Sequence, residues 1–318
     1  MVSYSTLQIS FLQTLLKERY GIDSASVVFL KRGFNDTYKI NTGTGRFILR
    51  IYRAKRRTIQ EIRSELNFLL FLKEKHISLS VPLPDRDKQY IQEIASPEGS
   101  RYGVLFSFVE GESLRRPSVH QCRKAGEALG AIHQTLLESE QGSLSWNYEP
   151  DKIFSYVRSS VSKTLSGFPE DLVYLDRLEQ EIQKRLLDAN LKTGICHGNL
   201  QPENFYFLSS GEVSFIDFDF SGRGPLLYDL GAYMWYDHQG KTKEMLESFY
   251  AGYALYFPLS QKEKDLIPVF GTLRALFLMG MWNRFNDGES NPVWPADQIS
   301  GFVKKLKGWA AKECGMKF

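Results

Sequence analysis

The sequence predicts an α+β fold in two lobes, a small antiparallel-sheet lobe followed by a larger, mainly helical lobe. Two observations favour this fold. Short apolar strand patterns and a hairpin turn fill roughly the first third, whereas most of the chain after Gly111 has helical spacing. A length of 318 residues suits one large domain or two lobes that share a cleft. We therefore predict a lobe at residues 1–110, a connector at 106–111 and a second lobe at 111–318.

The first lobe is predicted to contain two helices and five strands. Leu7, Phe11, Leu15 and Leu16 have near-helical spacing and predict the first helix. The run NTGTG at 41–45 is a turn signal between the second and third strands. The predicted helices are 5–19 and 59–74, and the predicted strands are 26–31, 37–40, 47–52, 88–93 and 102–109.

The second lobe is predicted to be helical apart from two short strands near Asn204 and Asp217. Apolar residues recur at helical spacing through most of it, and no repeat or low-complexity tract interrupts them. The predicted helices are 119–137, 152–161, 171–188, 226–238, 242–256 and 261–285.

Composition limits the classes of partner. A net charge of +3 is too small to argue for a nucleic acid or a membrane, and we interpret the basic run RAKRR at 53–57 as a solvated turn rather than a nucleic-acid site. Three scattered cysteines without a CxxC pair favour neither a disulfide framework nor a zinc site. The sequence has no run of 18 apolar residues, and we expect no signal peptide, no membrane span and a reduced, cytoplasmic setting.

The most informative stretch is ICHGNLQPEN at 195–204, which FIDFD follows at 215–219. Asn204 offers a neutral amide oxygen and Asp217 a hard anionic oxygen, and both suit Mg²⁺. A carboxylate between Ile216 and Phe218 is costly unless it meets a cation. The alternative is that Asp217 caps a turn. We favour a site that holds Mg²⁺ and ATP at the ends of two neighbouring strands.

In a loop that leads to an Mg²⁺ and ATP site of this kind, the position of Asn199 is expected to carry a catalytic aspartate. An amide can orient an acceptor hydroxyl by a hydrogen bond, but it cannot take its proton at neutral pH. Because the transition state of phosphoryl transfer is loose, a slow enzyme and an inactive one both remain open. Glu203 and Asp219 are nearby carboxylates, and we expect His197 to have a structural role.

Arg50 is the candidate cation for phosphates. It is the one charge inside the apolar strand pattern FILRIY, and such a charge needs a partner. Glu65 on the following helix is the expected partner and Glu61, one turn earlier, is its rival. A guanidinium can also grip phosphate with two donors. The alternative is an edge-strand arginine that points to solvent.

Two backbone segments are candidates for nucleotide contacts. Gly33 and Asn35 lie in the loop between the first two strands, where N–H groups can meet phosphate oxygens. Ser107, Phe108 and Val109 belong to the apolar connector, whose backbone can meet an adenine edge. An ordinary turn and an ordinary strand end are the alternatives.

Aromatic and acidic residues of the second lobe are candidates for an acceptor pocket. Trp235, Asp237, Trp282 and Asp287 together suit a polar, cationic or sugar-like ligand with a hydroxyl group. Core packing for the tryptophans and a solvated surface for the acids fit equally well. We expect Asp229, at the start of a helix, to cap that helix or to anchor the catalytic loop.

These motifs resemble those of the aminoglycoside phosphotransferase and choline kinase-like family, which shares the protein-kinase fold. That family's loop reads roughly HGDxHxxN where this chain has HGNLQPEN, and the later Asp229-Leu230-Gly231 also matches. Arg50 and the helix around Glu65 resemble the bacterial stress-response and antibiotic kinases. The departures are Asn199 for the catalytic aspartate and Gln201 for a second histidine.

The resemblance implies that Asn204 and Asp217 bind Mg²⁺, that Arg50 binds ATP phosphates and that residues 107–109 form the adenine hinge. It implies an ATP-dependent transfer to a hydroxyl of a small molecule, such as an aminoglycoside-like antibiotic or an amino alcohol. GTP in place of ATP, the identity of the acceptor and the oligomeric state stay open. Two alternatives also stay open, a pseudokinase without turnover and a Ser/Thr protein kinase of the stress-response type.

Overall fold

The computed structural model describes residues 4–137, 144–236, 242–284 and 295–318. The chain divides into two compact units, Met1–Gly111 with Ser214–Ile216, and Glu112–Val213 with Asp217–Phe318. The chain leaves the first of these units at Gly111. The return of Ser214–Ile216 to the first unit was not predicted. It depends on contacts distant in sequence, since Phe215 pairs with Leu79 and its N–H donates to Ser78 O at 3.3 Å.

The first unit is built on an antiparallel sheet in the order β1-β2-β3-β6-β4, with β5 paired to β6. Alternate residues of β2 are buried, as expected when one face of a sheet covers a core. Its elements are α1 (Ile9–Leu15, continued by a π-helical turn, Leu16–Tyr20), β1 (Ser26–Arg32), β2 (Asn35–Asn41), β3 (Arg46–Tyr52), α2 (Ile59–Glu74), β4 (Pro82–Leu83), β5 (Gln92–Ser96) and β6 (Gly99–Ser107).

Two predictions for this unit were wrong in detail. Helix α1 begins at Ile9 rather than at residue 5, and its buried side chains are those of Leu12 and Leu16, whereas Phe11 is exposed. The strand predicted at 88–93 begins only at Gln92, because Lys88 adopts a positive φ of 61° in the preceding turn. Helix α2 begins and ends as predicted. Its beginning is fixed by Thr58, which forms a capping box with Glu61.

The larger, mainly helical second region is confirmed. Six strands occur there among the described residues, where two were predicted. The others were missed because a strand of two to four residues is too short to show an alternating pattern. The helix α9 was not predicted. The elements from Gly111 onward are β7 (Gly111–Glu112), α3 (Val119–Leu137), β8 (Trp146–Asn147), α4 (Pro150–Val161), α5 (Pro169–Leu186), β9 (Thr193–Cys196), β10 (Phe205–Leu208), β11 (Val213–Phe215), β12 (Gly222–Pro225), α6 (Leu227–Trp235), α7 (Lys243–Tyr253), α8 (Gln261–Arg284) and α9 (Ala296–Glu313).

Helices α6 and α8 touch through glycines. A Cβ atom added at Gly231 of α6 would overlap the backbone nitrogen of Gly271 on α8. The two backbones can therefore approach only without side chains at this crossing. Asp229 lies two residues before this contact and Arg274 three residues after it, so the crossing fixes the positions of both.

Helix α8 is the one described helix whose length and composition would allow it to cross a membrane, and 83% of its most apolar window is buried inside the protein. Its apolar side chains are thus covered by other parts of the chain, and core helices commonly meet the same criteria.

Candidate active site

The loop at residues 197–204 starts where strand β9 ends at Cys196. Gly198 has a φ of 77°, and a Cβ atom there would overlap the carbonyl oxygen of Phe220 and the hydroxyl of Tyr148. Both the backbone conformation and the close approach require glycine at this position. The following residue, Asn199, is 6% exposed.

Asp229 anchors this loop from helix α6. Its carboxylate accepts the N–H of His197 at 2.6 Å, the N–H of Gly198 at 2.9 Å and a hydrogen bond from Nε2 of His133 at 3.0 Å. Burial alone raises the pKa of Asp229, but the hydrogen bonds and the two imidazoles outweigh burial and leave this pKa below its ordinary value of 3.8. Of the two expected roles, the structure shows the anchor.

Asn199 links the two expected metal ligands. Its Nδ2 donates to Oδ2 of Asp217 at 3.0 Å, and its backbone oxygen accepts from Nδ2 of Asn204 at 2.8 Å. Its own N–H donates to Nδ1 of His197 at 3.2 Å, which gives that imidazole a structural contact. The structure therefore brings Asn199, Asn204 and Asp217 together in one unit.

The donor set fits a magnesium ion. Because Nδ2 of Asn204 is engaged with Asn199, the atom of that amide left to meet a cation is the oxygen. Asp217 contributes a carboxylate from a strained backbone with φ 67° and ψ 57°. The described residues contain no group of three or more His, Cys, Asp or Glu side chains suited to a metal. One amide and one carboxylate suit Mg²⁺, which commonly completes its shell with water and substrate phosphates.

Arg274 of helix α8 was not singled out by the sequence analysis. Its Nη2 donates to Oδ1 of Asn199 at 2.9 Å and to the hydroxyl of Tyr236 at 2.8 Å. The side chain is 1% exposed, and its guanidinium carbon lies 5.4 Å from the ring centre of Tyr236 and 5.6 Å from that of Phe277. We call Asn199, Asp217, Tyr236 and Arg274 the Asn199 cluster.

The other two carboxylates considered as bases lie differently. The Glu203 side chain is 52% exposed, with Oε1 at 4.0 Å from Nε of Arg115. Asp219 is buried, and its backbone oxygen accepts from Nε1 of Trp146 at 3.1 Å.

In the first unit, Arg50 and Glu65 form an ion pair, with Nη1 to Oε1 at 2.9 Å. Oε2 of Glu65 also accepts from Arg57 and, at 3.1 Å, from the hydroxyl of Tyr52. Glu61 serves the capping box instead. We call Arg50, Tyr52, Arg57 and Glu65 the Glu65 cluster. Its role in binding phosphates stays a prediction.

The basic run that contains Arg57 is less solvated than expected. Arg53 is 3% exposed and its guanidinium lies 4.7 Å from the ring centre of Tyr4. Arg56 stacks over Phe34 at 5.6 Å. The interpretation as a solvated turn was therefore wrong for Arg53 and Arg57, which are held by contacts within the first unit.

The proposed nucleotide segments already carry backbone hydrogen bonds. The N–H of Gly33 donates to the carbonyl of Asn35 at 3.1 Å across a two-residue turn. The N–H of Ser107 donates to Val81 O at 2.8 Å, and its carbonyl accepts from the Ser80 hydroxyl at 2.7 Å. These bonds place Gly33 and Ser107 in the scaffold of the first unit.

The rest of the connector shows a packing role and one further backbone bond. The ring of Phe108 lies 4.5 Å from the guanidinium carbon of Arg46 and 5.1 Å from Nζ of Lys39. The carbonyl of Val109 accepts from Gly111 N at 3.1 Å. Adenine binding by this segment stays a prediction.

The predicted acceptor residues divide into two groups. Trp235 packs on Trp309 with ring centres 5.0 Å apart, and Trp282 packs on Phe302 at 5.6 Å. Trp309 and Phe302 belong to helix α9, and these contacts favour the core-packing alternative for the two tryptophan rings. Asp237 and Asp287 lie outside the described residues.

Comparison with known proteins identifies the family. A model of the phosphotransferase enzyme family matches residues 27–262, well over half of the chain. This chain belongs to the phosphotransferase enzyme family. A protein of unknown function from Deinococcus radiodurans is 29% identical over 286 residues, 87% of this chain and 83% of its own. A homoserine kinase from Brucella anthropi is 26% identical over 287 residues, 86% and 83% of the two chains.

Solved structures establish the fold of this family member. A microcompartment-associated aminopropanol kinase superposes with a TM-score of 0.74 at 22% identity and covers 96% of both chains. An amicoumacin kinase in complex with AMP-PNP and Ca²⁺ superposes with a TM-score of 0.73 at 19% identity and covers 94% of this chain and 93% of its own. The phosphotransferase therefore has the two-lobed protein-kinase-like fold predicted from its motifs.

Proposed function

We propose that this family member transfers the terminal phosphoryl group of ATP to a hydroxyl of a small molecule, with Asn199 orienting that hydroxyl. The observation that carries the proposal is the contact of Asn199 with both candidate metal ligands, Asn204 and Asp217. Phosphoryl transfer requires a positioned acceptor next to neutralised phosphate charge, and the contacts of Asn199 with Asn204 and Asp217 would put the two side by side.

Each residue then has a defined task. Asn204 and Asp217 would hold Mg²⁺, which supplies neutralisation of phosphate charge when bound. Asp229 fixes the backbone of His197 and Gly198, so the loop that carries Asn199 is held from behind. Asn199 offers an acceptor for the hydroxyl hydrogen but cannot remove the proton. Without a general base the expected rate is lower by about 10²–10⁴-fold.

The named relatives support a proposal for the acceptor class. Homoserine and aminopropanol are both small aliphatic molecules that carry a hydroxyl and an amine, and they name the acceptors of two similar kinases. We propose an acceptor of this kind, a small amino alcohol or hydroxy amino acid, ahead of an aminoglycoside-like antibiotic.

The first experiment measures the melting temperature with and without Mg²⁺ and ATP. Ligand at 100 times its Kd stabilises a protein by about 2.7 kcal/mol, so we expect a clear upward shift for the parent. Asp217→Ala should remove the shift, whereas Asp188→Ala at an exposed site should keep it. An absent shift in the parent protein would refute nucleotide binding and the proposal with it.

A second candidate is a binding protein that holds nucleotide without turnover, and the absence of a base at Asn199 favours it. Asn199→Asp separates the two candidates. If both proteins bind Mg·ATP and only the variant phosphorylates an amino alcohol or homoserine, the rest of the machinery is complete. If the variant binds nucleotide but stays inert with every acceptor, the non-turnover candidate replaces the phosphotransferase.

A further inference from the structure

Arg274 presents an unusual charge balance. Arginine stays protonated at every physiological pH, and this one is 1% exposed. Among the described residues no carboxylate lies within ion-pair distance of it, and its Nε and Nη1 are buried without a hydrogen-bond partner. The cation is held instead by oxygens of Asn199 and Tyr236, by the nearby Tyr228 hydroxyl and by the faces of two aromatic rings.

A buried cation without a carboxylate partner is expensive for the fold, since burial costs it the hydration that an ion pair would replace. Proteins keep such groups at places where a specific arrangement matters more than stability. Both hydrogen bonds described for Arg274 are donated by Nη2, one to the Tyr236 hydroxyl and one to Oδ1 of Asn199, the residue proposed to orient the acceptor hydroxyl.

The two groups that bind the side-chain amide of Asn199 have opposite hydrogen-bonding requirements. The guanidinium of Arg274 can only donate, and the carboxylate of Asp217 accepts the other end of the amide. An amide placed between a donor and an acceptor has one favourable orientation, with Oδ1 toward Arg274 and Nδ2 toward Asp217. A reversed amide would oppose N–H to N–H and oxygen to oxygen.

We propose that Arg274 is a positioning residue that orients the side chain of Asn199. With Nδ2 committed to Asp217, the second lone pair of Oδ1 is the group that meets the hydrogen of an acceptor hydroxyl. Arg274 thus makes residue 199 an acceptor for that hydrogen rather than a competing donor. The inference deepens the proposed function, and only its kinetic test rests on that function.

The primary test follows the side-chain amide of Asn199 by NMR in protein labelled with ¹⁵N-asparagine. The resonance is assigned by its loss in Asn199→Asp. We expect Arg274→Met to speed exchange of these amide protons with solvent by about tenfold, the equivalent of one charge-assisted hydrogen bond. Arg274→Lys keeps a charged donor and should restore part of the protection. Arg284→Met removes an exposed arginine from the same helix and should change nothing.

If Arg274 only stabilised the fold, its removal would lower the melting temperature. We expect Arg274→Met to melt at the same temperature as the parent or above it, because a buried unpaired charge has been removed. A kinetic test uses the parent protein or, if the parent is inactive, Asn199→Asp. Adding Arg274→Met to the active protein should lower kcat by about tenfold to a hundredfold and leave the KM for ATP unchanged.

Unchanged amide exchange in Arg274→Met, or equal loss of protection in Arg284→Met, would overturn the inference. If Arg274→Met fails to fold, the same comparison is made with Arg274→Lys and Tyr236→Phe. Faster exchange in Arg274→Lys with normal exchange in Tyr236→Phe supports the orienting role, and normal exchange in both overturns it. Failure of the proposed function appears separately, as a parent protein that neither binds Mg·ATP nor phosphorylates an acceptor while the amide exchange results stand.

Discussion

The Glu65 cluster and the Asn199 cluster both surround a buried or half-buried arginine, but they balance its charge in different ways. In the Glu65 cluster one carboxylate accepts from two guanidiniums, and the Arg50 side chain keeps 15% of its surface exposed. In the Asn199 cluster the arginine is fully buried, and an amide separates it from the carboxylate of Asp217. The first arrangement pairs opposite charges directly, and the second holds them apart across residue 199.

The difference concerns what each cluster stabilises. A direct ion pair with several donors offsets the desolvation of its members and contributes to the fold. A cation whose partners are neutral, an amide and tyrosine hydroxyls, gains much less from its hydrogen bonds, so its contacts serve geometry. The comparison predicts that substitutions in the Glu65 cluster change stability, whereas substitutions in the Asn199 cluster change the orientation of one side chain.

The largest effect is expected for Glu65→Gln. It leaves Arg50 and Arg57 without the carboxylate that now joins them, and breaking one side of a buried ion pair costs about 3–5 kcal/mol. Urea unfolding measures the loss. Glu61→Gln is the matched control on the same helix, and it should cost under about 0.5 kcal/mol because glutamine also completes a capping box. Equal losses for the two variants would contradict the distinction drawn between them.

An intermediate effect is expected from a double-mutant cycle of Asn199→Asp and Arg274→Met in metal-free protein. An aspartate at 199 gains an ion pair with Arg274 but faces Asp217, so the single change should be nearly neutral. In the Arg274→Met background only the repulsion remains, and the same change should destabilise. The expected coupling is about 1–3 kcal/mol, measured by urea unfolding of the four proteins. A coupling near zero would mean that Arg274 does not act on residue 199.

The smallest effect is expected for Tyr52→Phe, which removes the buried hydroxyl that donates to Glu65. The expected loss of stability is about 1 kcal/mol. Tyr38→Phe on the neighbouring strand is the control, because the Tyr38 hydroxyl is also buried but has no hydrogen-bond partner. Its removal should be neutral or slightly stabilising. Thermal unfolding of both variants ranks them, and a larger loss for Tyr38→Phe would show that packing rather than the hydroxyl decides.

Sequence reasoning found one of the two arginines and missed the other, although both carry the same signal. Arg50 was noticed as a single charge within an apolar strand pattern. Arg274 is likewise a single charge within the run GTLRALFLMG of helix α8, where its neighbours along the helix are buried. A helix buried on every side has no polar face, so a charge within it needs an internal partner as surely as one in a strand does.

The short strands could not be predicted from the sequence, for a different reason. Strands of two to four residues are too short for an alternating pattern, and their existence depends on partners far along the chain. Of the apolar residues that predicted helix α1, Leu16 lies in the core, Leu7 and Leu15 pack partly buried against it and Phe11 is exposed, and only the packing decides between these positions.

The sequence by itself determined the family and the division into a sheet-rich and a helical region, and it predicted which residues could bind a hard cation, because motifs, strand and helix periods and ligand chemistry are local properties. Only the tertiary structure decided that Glu65 rather than Glu61 pairs with Arg50, and that Arg274 reaches Asn199 through the glycine contact of α6 and α8. Those choices depend on distances between segments that are remote in sequence, and no local pattern contains them.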